Sequence, residues 1–256
     1  MHDGQALQSG TTHYFGQNFS QAFDIKFTDE KNTLQYAYQT SWGVSTRLIG
    51  AVIMVHGDDE GLILPPYLAP TQIVIIPIQG QKPEVKEASE KLYHELKQAG
   101  FRVSLDDSNK TAGWKFAEYE MKGYPVRIEV GPRDLEHGHV TLVTRHDRMK
   151  HQVNLGDVVK GMNLMLKNMH DTLYERALNH VNQNTYEAKT YDEFKEYIKR
   201  GGYVAMSISD EEAEIQIKKD TTATARVIPF DQHIITPICP VTGRKATKTV
   251  WFARAY

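Results

Sequence analysis

Apolar residues along the chain follow two periods, and the alternation between them predicts most of the architecture. Residues 72–78 form a continuous β-branched run of the kind a strand shows when both of its faces are buried. Residues 82–99 then repeat apolar positions at helical spacing up to Gly100, and residues 101–105 return to a strand pattern. Strand, helix and strand in this order predict a parallel βαβ unit. Residues 121–130 and 140–144 read as further strands of the same sheet, giving an α/β domain of roughly 100 residues. Ahead of it, residues 11–27 and 34–38 read as strands, and Leu48, Ile49, Val52, Ile53 and Val55 give the apolar face of a helix packed on a sheet.

From Gly156 the pattern is helical for a long stretch, with Val158, Val159, Met162, Leu164, Met165, Met169, Leu173 and Leu178 at apolar positions. A methionine-rich stripe at this spacing reads as core, because methionine fills irregular gaps. Residues 191–200 read as a helix and 203–208 as a strand, followed by a threonine-rich, charged stretch. Pro65, Pro66 and Pro70 punctuate a linker that can continue neither a helix nor a central strand. The resulting division is 1–69, 70–175 and 176–256. The strands at 11–38 lack preceding partners, so the first part reads as the remainder of a domain that begins upstream.

Composition narrows the class. At 256 residues the chain can bury a sizeable core, and a formal charge of −2 argues against a generally cationic nucleic-acid coat. Any RNA contact must therefore be local. The single cysteine, Cys239, permits no intramolecular disulfide, which fits a reducing cytoplasm. No long apolar span or signal-peptide pattern is present, so no membrane is expected.

The densest candidate chemistry lies in YQTSWGVSTRLIGAVIMVHGDD, residues 38–59. Gly43 and Ser45 keep side-chain bulk low, so a ligand can approach the backbone. Arg47, at the start of the apolar helix, offers a planar guanidinium that could stack on a purine or neutralise phosphate oxygens. Asp58-Asp59-Glu60 could hold Mg²⁺, but three acids ahead of Gly61 at a helix end read better as a solvated turn, and His56 as a ring suited to the helix dipole.

Taken with QSGTTHYFGQNF at 8–19 and GLILPPYLAPTQIVIIPI at 61–78, this segment resembles the prolyl-tRNA synthetases, class II aminoacyl-tRNA synthetases, of archaeal and eukaryotic-like type. The resemblance continues through GWKFAEYEMKGYPVRIEVGPRDLEHG at 113–138 to the terminal WFARAY and so spans the whole chain. It implies the C-terminal part of a class II antiparallel-sheet catalytic domain carrying motif 3, an α/β anticodon-binding domain with a mixed sheet, and a small α+β C-terminal domain. Motifs 1 and 2 would precede residue 1, so the isolated chain is expected to be inactive. The implied activity is ATP-dependent formation of prolyl-adenylate and transfer of proline to tRNA(Pro), by a cytoplasmic homodimer that uses ATP and Mg²⁺ and engages no DNA. The alternative is a non-catalytic module that binds an anticodon or regulates another protein.

By the same resemblance Arg47 is the catalytic residue, and Gln8, Thr11 and Ser45 join it in binding ATP. His13 contacts proline, with Trp42 and Phe15 as walls of that pocket. Glu120, Arg127, Arg133 and Asp134 read the anticodon, whose two adjacent guanines suit a mixed acidic and basic site. These four could instead form a structural ion-pair network. Tyr256 matches the family's terminal tyrosine, whose carboxylate lies near the active site. The family's C-terminal domain often carries a four-cysteine zinc site; here ICPVTGRKATK at 238–248 has Cys239 alone and SISDEEAEIQIKK at 207–219 has none, so structural zinc is not expected.

Overall fold

The computed structural model describes residues 1–256, which divide into two compact units, Val52–Gln183 and Met1–Ala51 joined with Asn184–Tyr256. The chain opens with β1 (Thr11–Gly16), α1 (Asn18–Ala22), β2 (Lys26–Thr28), β3 (Leu34–Tyr36), β4 (Gln39–Gly43) and α2 (Arg47–His56). β1 pairs antiparallel with β4, placing Thr11 opposite Gly43 and His13 opposite Ser41, while β2 and β3 form a second hairpin. The continuous strand expected over 11–27 is therefore interrupted. Gly16 has φ +54°, beyond which the Ser20 hydroxyl donates to the Gln17 carbonyl and the chain coils into α1. α2 forms where expected but buries none of its residues, and Ile49 stays 65% exposed. The expectation that its apolar face packs on a sheet is not met in this chain.

The unit Val52–Gln183 is built on a five-stranded mixed sheet in the order β6-β5-β7-β8-β9. Its strands are β5 (Ile73–Pro77), β6 (Val103–Leu105), β7 (Val126–Val130), β8 (His139–Thr144) and β9 (Lys150–Asn154). β5 runs parallel to β6 and β7, and β8 and β9 extend the sheet antiparallel. The helices are α3 (Pro83–Gln98), α4 (Ala112–Met121), α5 (Pro132–Glu136) and α6 (Val158–Gln183). The crossovers from β5 to β6 and from β6 to β7 run in opposite directions along the sheet, so right-handed connections put α3 and α4 on opposite faces. This is why Ile73 to Ile76 are buried as an unbroken run. In β7, by contrast, Val126, Ile128 and Val130 are fully buried while Arg127 and Glu129 are half-buried. The two-residue pleat sends the charged pair to the face on which α4 lies.

Two expectations change here. Residues 112–121 are helical, with Thr111 as N-cap accepting a hydrogen bond from the Trp114 amide, so β7 begins at Val126 and not at residue 121. Along α6 the buried positions are Val158, Met162, Leu166, Met169 and Leu173, whereas Leu164 and Leu178 are exposed. The proline-rich segment at 65–70 is pinned, because the Arg102 guanidinium donates to the carbonyls of Pro66 and Ala69 at 2.9 and 2.8 Å.

The C-terminal part of the other unit carries a four-stranded sheet in the order β10-β11-β13-β12, from β10 (Thr185–Glu187), β11 (Tyr203–Ile208), β12 (Thr224–Val227) and β13 (Lys248–Ala253). α7 (Tyr191–Arg200) and α8 (Glu211–Thr221) flank it. Phe194 of α7 meets Phe252 of β13 edge-on at 5.5 Å in the middle of this core. The N-terminal segment joins the same unit: Ala6 bridges to Ala255, the Ala6 amide donates to the Arg254 carbonyl at 2.9 Å, and the Tyr256 amide donates to the Ala6 carbonyl at 3.1 Å.

Candidate active-site cleft and RNA-recognition cavity

The β1–β4 register draws the first set of residues together. With Thr11 opposite Gly43, the segment before β1 and the turn after β4 lie side by side, and Gln8, Thr11, Gly43, Ser45 and Arg47 line one cleft of about 280 Å³. One Arg47 terminal nitrogen donates to the Gln8 amide oxygen at 3.2 Å, the Gln8 amide nitrogen donates to the Thr11 hydroxyl at 2.6 Å, and the Arg47 backbone amide donates to the Ser45 hydroxyl at 3.3 Å. A single exposed cation is thus steered by neutral groups, an arrangement suited to an anionic ligand carrying hydrogen-bonding groups.

His13 lies two residues from Thr11 on the same face of β1 and stacks on Phe15 at 5.4 Å with an interplanar angle of 9°. Trp42 sits opposite Thr12, so the pleat turns it to the other face. The pairing of His13 with Trp42 in one pocket is not what the register brings together; Phe15 is His13's aromatic neighbour. Tyr256 is exposed and is held two residues before Gln8 by its hydrogen bond to Ala6.

The second set divides in two. Glu120 at the end of α4 and Arg127 on β7 line a cavity of about 170 Å³ with Tyr119, Tyr124, Thr144, Arg145, Arg148 and Lys150. Arg127 donates to the Glu129 carboxylate at 3.0 Å and lies over the Phe116 ring at 4.2 Å. Arg133 and Asp134 are on α5, past the opposite end of β7 and outside that cavity, where Asp134 accepts a hydrogen bond from the Thr141 hydroxyl at 3.4 Å.

The acidic stretch after α2 is an exposed turn, as expected, but two of its three acids, Asp58 and Glu60, are engaged by arginines. Asp58 takes a two-pronged pair from Arg145 at 2.8 and 2.5 Å and a third contact from Arg148 at 3.1 Å. Arg148 also pairs with Glu60 and, through Nε, with Glu120 at 3.0 Å. The hydrogen bonds and charge of Arg145 hold the Asp58 carboxyl well below the usual carboxylate range against the opposing effect of burial. With their oxygens committed to guanidiniums, Asp58 and Glu60 are poor ligands for Mg²⁺, and no group of three or more His, Cys, Asp or Glu side chains could hold a metal. Sequence reasoning missed Arg145 and Arg148. Their only signal was a pair of arginines three positions apart whose charge complements the acids at 58–60, some 87 positions away.

Around Cys239 the donor set is a buried thiol beside the Ser209 and Thr242 hydroxyls, which hydrogen-bond each other at 2.8 Å. Hydroxyls are not zinc ligands, so these residues do not fit a four-cysteine-type site.

Residues 72–163 match the family model for the anticodon binding domain, and residues 191–256 match the model for the C-terminal domain of prolyl-tRNA synthetase. The proline–tRNA ligase of Aster yellows witches'-broom phytoplasma is 56% identical over the whole chain, which covers 54% of that protein. Those of Phytoplasma australiense and Lachnoclostridium phytofermentans are 53% and 47% identical, again over the whole chain and 54% of each relative. The chain thus spans about half the length of the curated relatives it matches. A mixed-sheet domain matching the anticodon-binding model is thus followed by a domain matching the prolyl-tRNA synthetase C-terminal model, and over its whole length the chain is similar to proline–tRNA ligases.

Proposed function

We propose that the chain supplies the motif 3 cleft and the anticodon-recognition part of a proline–tRNA ligase, acting on ATP, L-proline and tRNA(Pro) as a cytoplasmic homodimer. In the first step the proline carboxylate attacks the α-phosphorus of ATP, giving prolyl-adenylate and pyrophosphate. In the second a terminal hydroxyl of the tRNA attacks the activated carbonyl and AMP leaves. Both steps place negative charge on a crowded phosphate, so positioning and electrostatic stabilisation are what the protein must provide. The observation that carries the reading is the Arg47 guanidinium set among Gln8, Thr11 and Ser45 in one cleft. Arg47 neutralises phosphate or stacks on the purine, the neutral groups hydrogen-bond the nucleotide, and His13 with Phe15 faces the amino acid. No carboxylate lines the cleft, so these residues do not fit the Mg²⁺ that accompanies ATP.

In the RNA-facing part, Glu120 accepts hydrogen bonds from a guanine Watson–Crick edge, and Arg127, Arg133 and Asp134 complete the anticodon contacts. The extensive exposed apolar surface of the N-terminal segment, including Tyr14, Trp42 and Ile49, supports its belonging to a larger catalytic domain. Proline-dependent ATP–pyrophosphate exchange tests the reading. The 256-residue chain alone shows none; in a full-length enzyme Arg47→Ala lowers the exchange kcat/KM about 100-fold. Wild-type exchange in that variant overturns the assignment.

A further inference from the structure

Arg148 sits in the hairpin between β8 and β9 with φ +58°, a left-handed conformation that a non-glycine residue adopts infrequently, closed by its amide donating to the Thr144 carbonyl at 2.8 Å. Its side chain serves three carboxylates from two distant stretches of chain. Nε meets Glu120 Oε1 at 3.0 Å, one terminal nitrogen meets Asp58 Oδ2 at 3.1 Å, and both terminal nitrogens reach Glu60, one of them at 3.2 Å. Arg145 is already engaged by Asp58 on two prongs and donates through its own Nε to the Glu120 backbone carbonyl at 2.9 Å. Glu120 is therefore fixed twice, its backbone by Arg145 and its carboxylate by Arg148. Only Oε1 is used in the ion pair, at the edge of the cavity lined by both residues.

We propose that Arg148 is a specificity-determining positioning residue. It fixes the Glu120 carboxylate in place, so that Glu120 meets the N1–H and N2–H donors of a guanine in the cavity. The inference rests on the reading of Glu120 as a base-recognising residue. A planar fork is needed because one ammonium cannot span from Glu120 to the turn at 58–60. An arginine bound to RNA phosphate would instead add affinity without regard to the base.

The two roles separate by a base-specific readout. Binding of the 256-residue chain is measured by fluorescence anisotropy with a labelled RNA stem-loop carrying two adjacent guanines, and with the same RNA in which inosine, lacking the 2-amino group, replaces each guanine. Discrimination of about tenfold in favour of guanine is expected for the unaltered chain. Glu120→Gln abolishes most of it. Arg148→Gln reduces it to about twofold, and in the Glu120→Gln background Arg148→Gln changes the ratio no further. If Arg148→Gln weakens both RNAs equally and leaves the ratio intact, Arg148 is a phosphate contact and the proposal falls while the Glu120 reading stands. If Glu120→Gln leaves the ratio intact, the Glu120 reading falls and takes the proposal with it. Thermal unfolding confirms that each variant is folded; should Arg148→Gln unfold, Arg148→Lys, which keeps the charge and loses the fork, carries the same expectation.

Discussion

Two guanidiniums close on the Asp58 carboxylate, and the one that matters more for folding is Arg145, whose side chain is only 3% exposed. A buried guanidinium left without its partner is costlier than the pair itself is favourable. Asp58→Asn therefore destabilises the unit Val52–Gln183 by about 2–3 kcal/mol, at or below the usual range for breaking a buried pair because Asp58 is one-third exposed and partly screened. Urea unfolding at neutral pH measures it. The acid limb gives an independent check. The folded Asp58 carboxyl lies below its unfolded value of about 3.9, so the unfolded chain binds the proton first as pH falls. The contribution is fully present above about pH 5 and is lost as pH drops through 4 toward the folded value. Between pH 5 and pH 3 the unaltered chain loses more stability than Asp58→Asn; equal losses would mean that the pair carries no linkage.

At the scale of elements, the turn that presents Asp58 reaches α4 by a backbone crossing. The Leu62 amide donates to the Met121 carbonyl at 2.9 Å, and a Cβ on Gly61, whose φ is +137°, would stand 2.4 Å from that same oxygen. Gly61→Ala meets rigid backbone in a conformation that alanine resists, so it costs about 3 kcal/mol or more and loosens Asp58 and Glu60 from Glu120. The expected readouts are a lowered melting temperature and faster amide exchange at Leu62. The sequence patterns located β5, α3, α7 and β11 because each has a clean period and a clear stop. α7 adds a capping box between Thr190 and Glu193, and Thr190→Ala should cost about 1 kcal/mol in the same unfolding measurement. α4 and α8 were not legible. In α4 the buried side chain is Lys115, whose ammonium pairs with Asp106 at 3.3 Å, so the helix lacks the apolar stripe that periodicity detects. α8 is rich in charge and shows itself locally only by the Asp210 cap. The cleft residues were legible because Gln8 and Arg47 belong to recognisable motifs. The ion-pair network was not, because nothing in a charged turn and a distant pair of arginines states that they meet.

For the molecule as a whole, compactness groups residues 1–51 with 184–256, and pairing of the first residues with the last contributes to that grouping. Ala6 is the hinge of the pairing. It accepts from the Tyr256 amide and donates to the Arg254 carbonyl, while the Gly4 carbonyl accepts from the Gly202 amide at 2.8 Å. Two residues past Ala6, Gln8 supplies the side chain that hydrogen-bonds both Arg47 and Thr11. A side chain projecting from a segment anchored on one edge loses its placement when the anchor goes, because the entropy of the freed segment must be overcome again on ligand binding. Removing Arg254, Ala255 and Tyr256 should therefore leave the core around Phe194 and Phe252 folded, since those rings pack on α7 and β13 and not on the terminus. It should free residues 6–8 and, in a full-length enzyme, raise the KM for ATP several-fold with a smaller effect on tRNA affinity. Amide exchange reports the first effect through lost protection at Ala6. If exchange at Ala6 rises and the KM for ATP does not move, the terminus is a structural strap only, and the placement of Gln8 comes from its own bonds to Thr11 and Arg47.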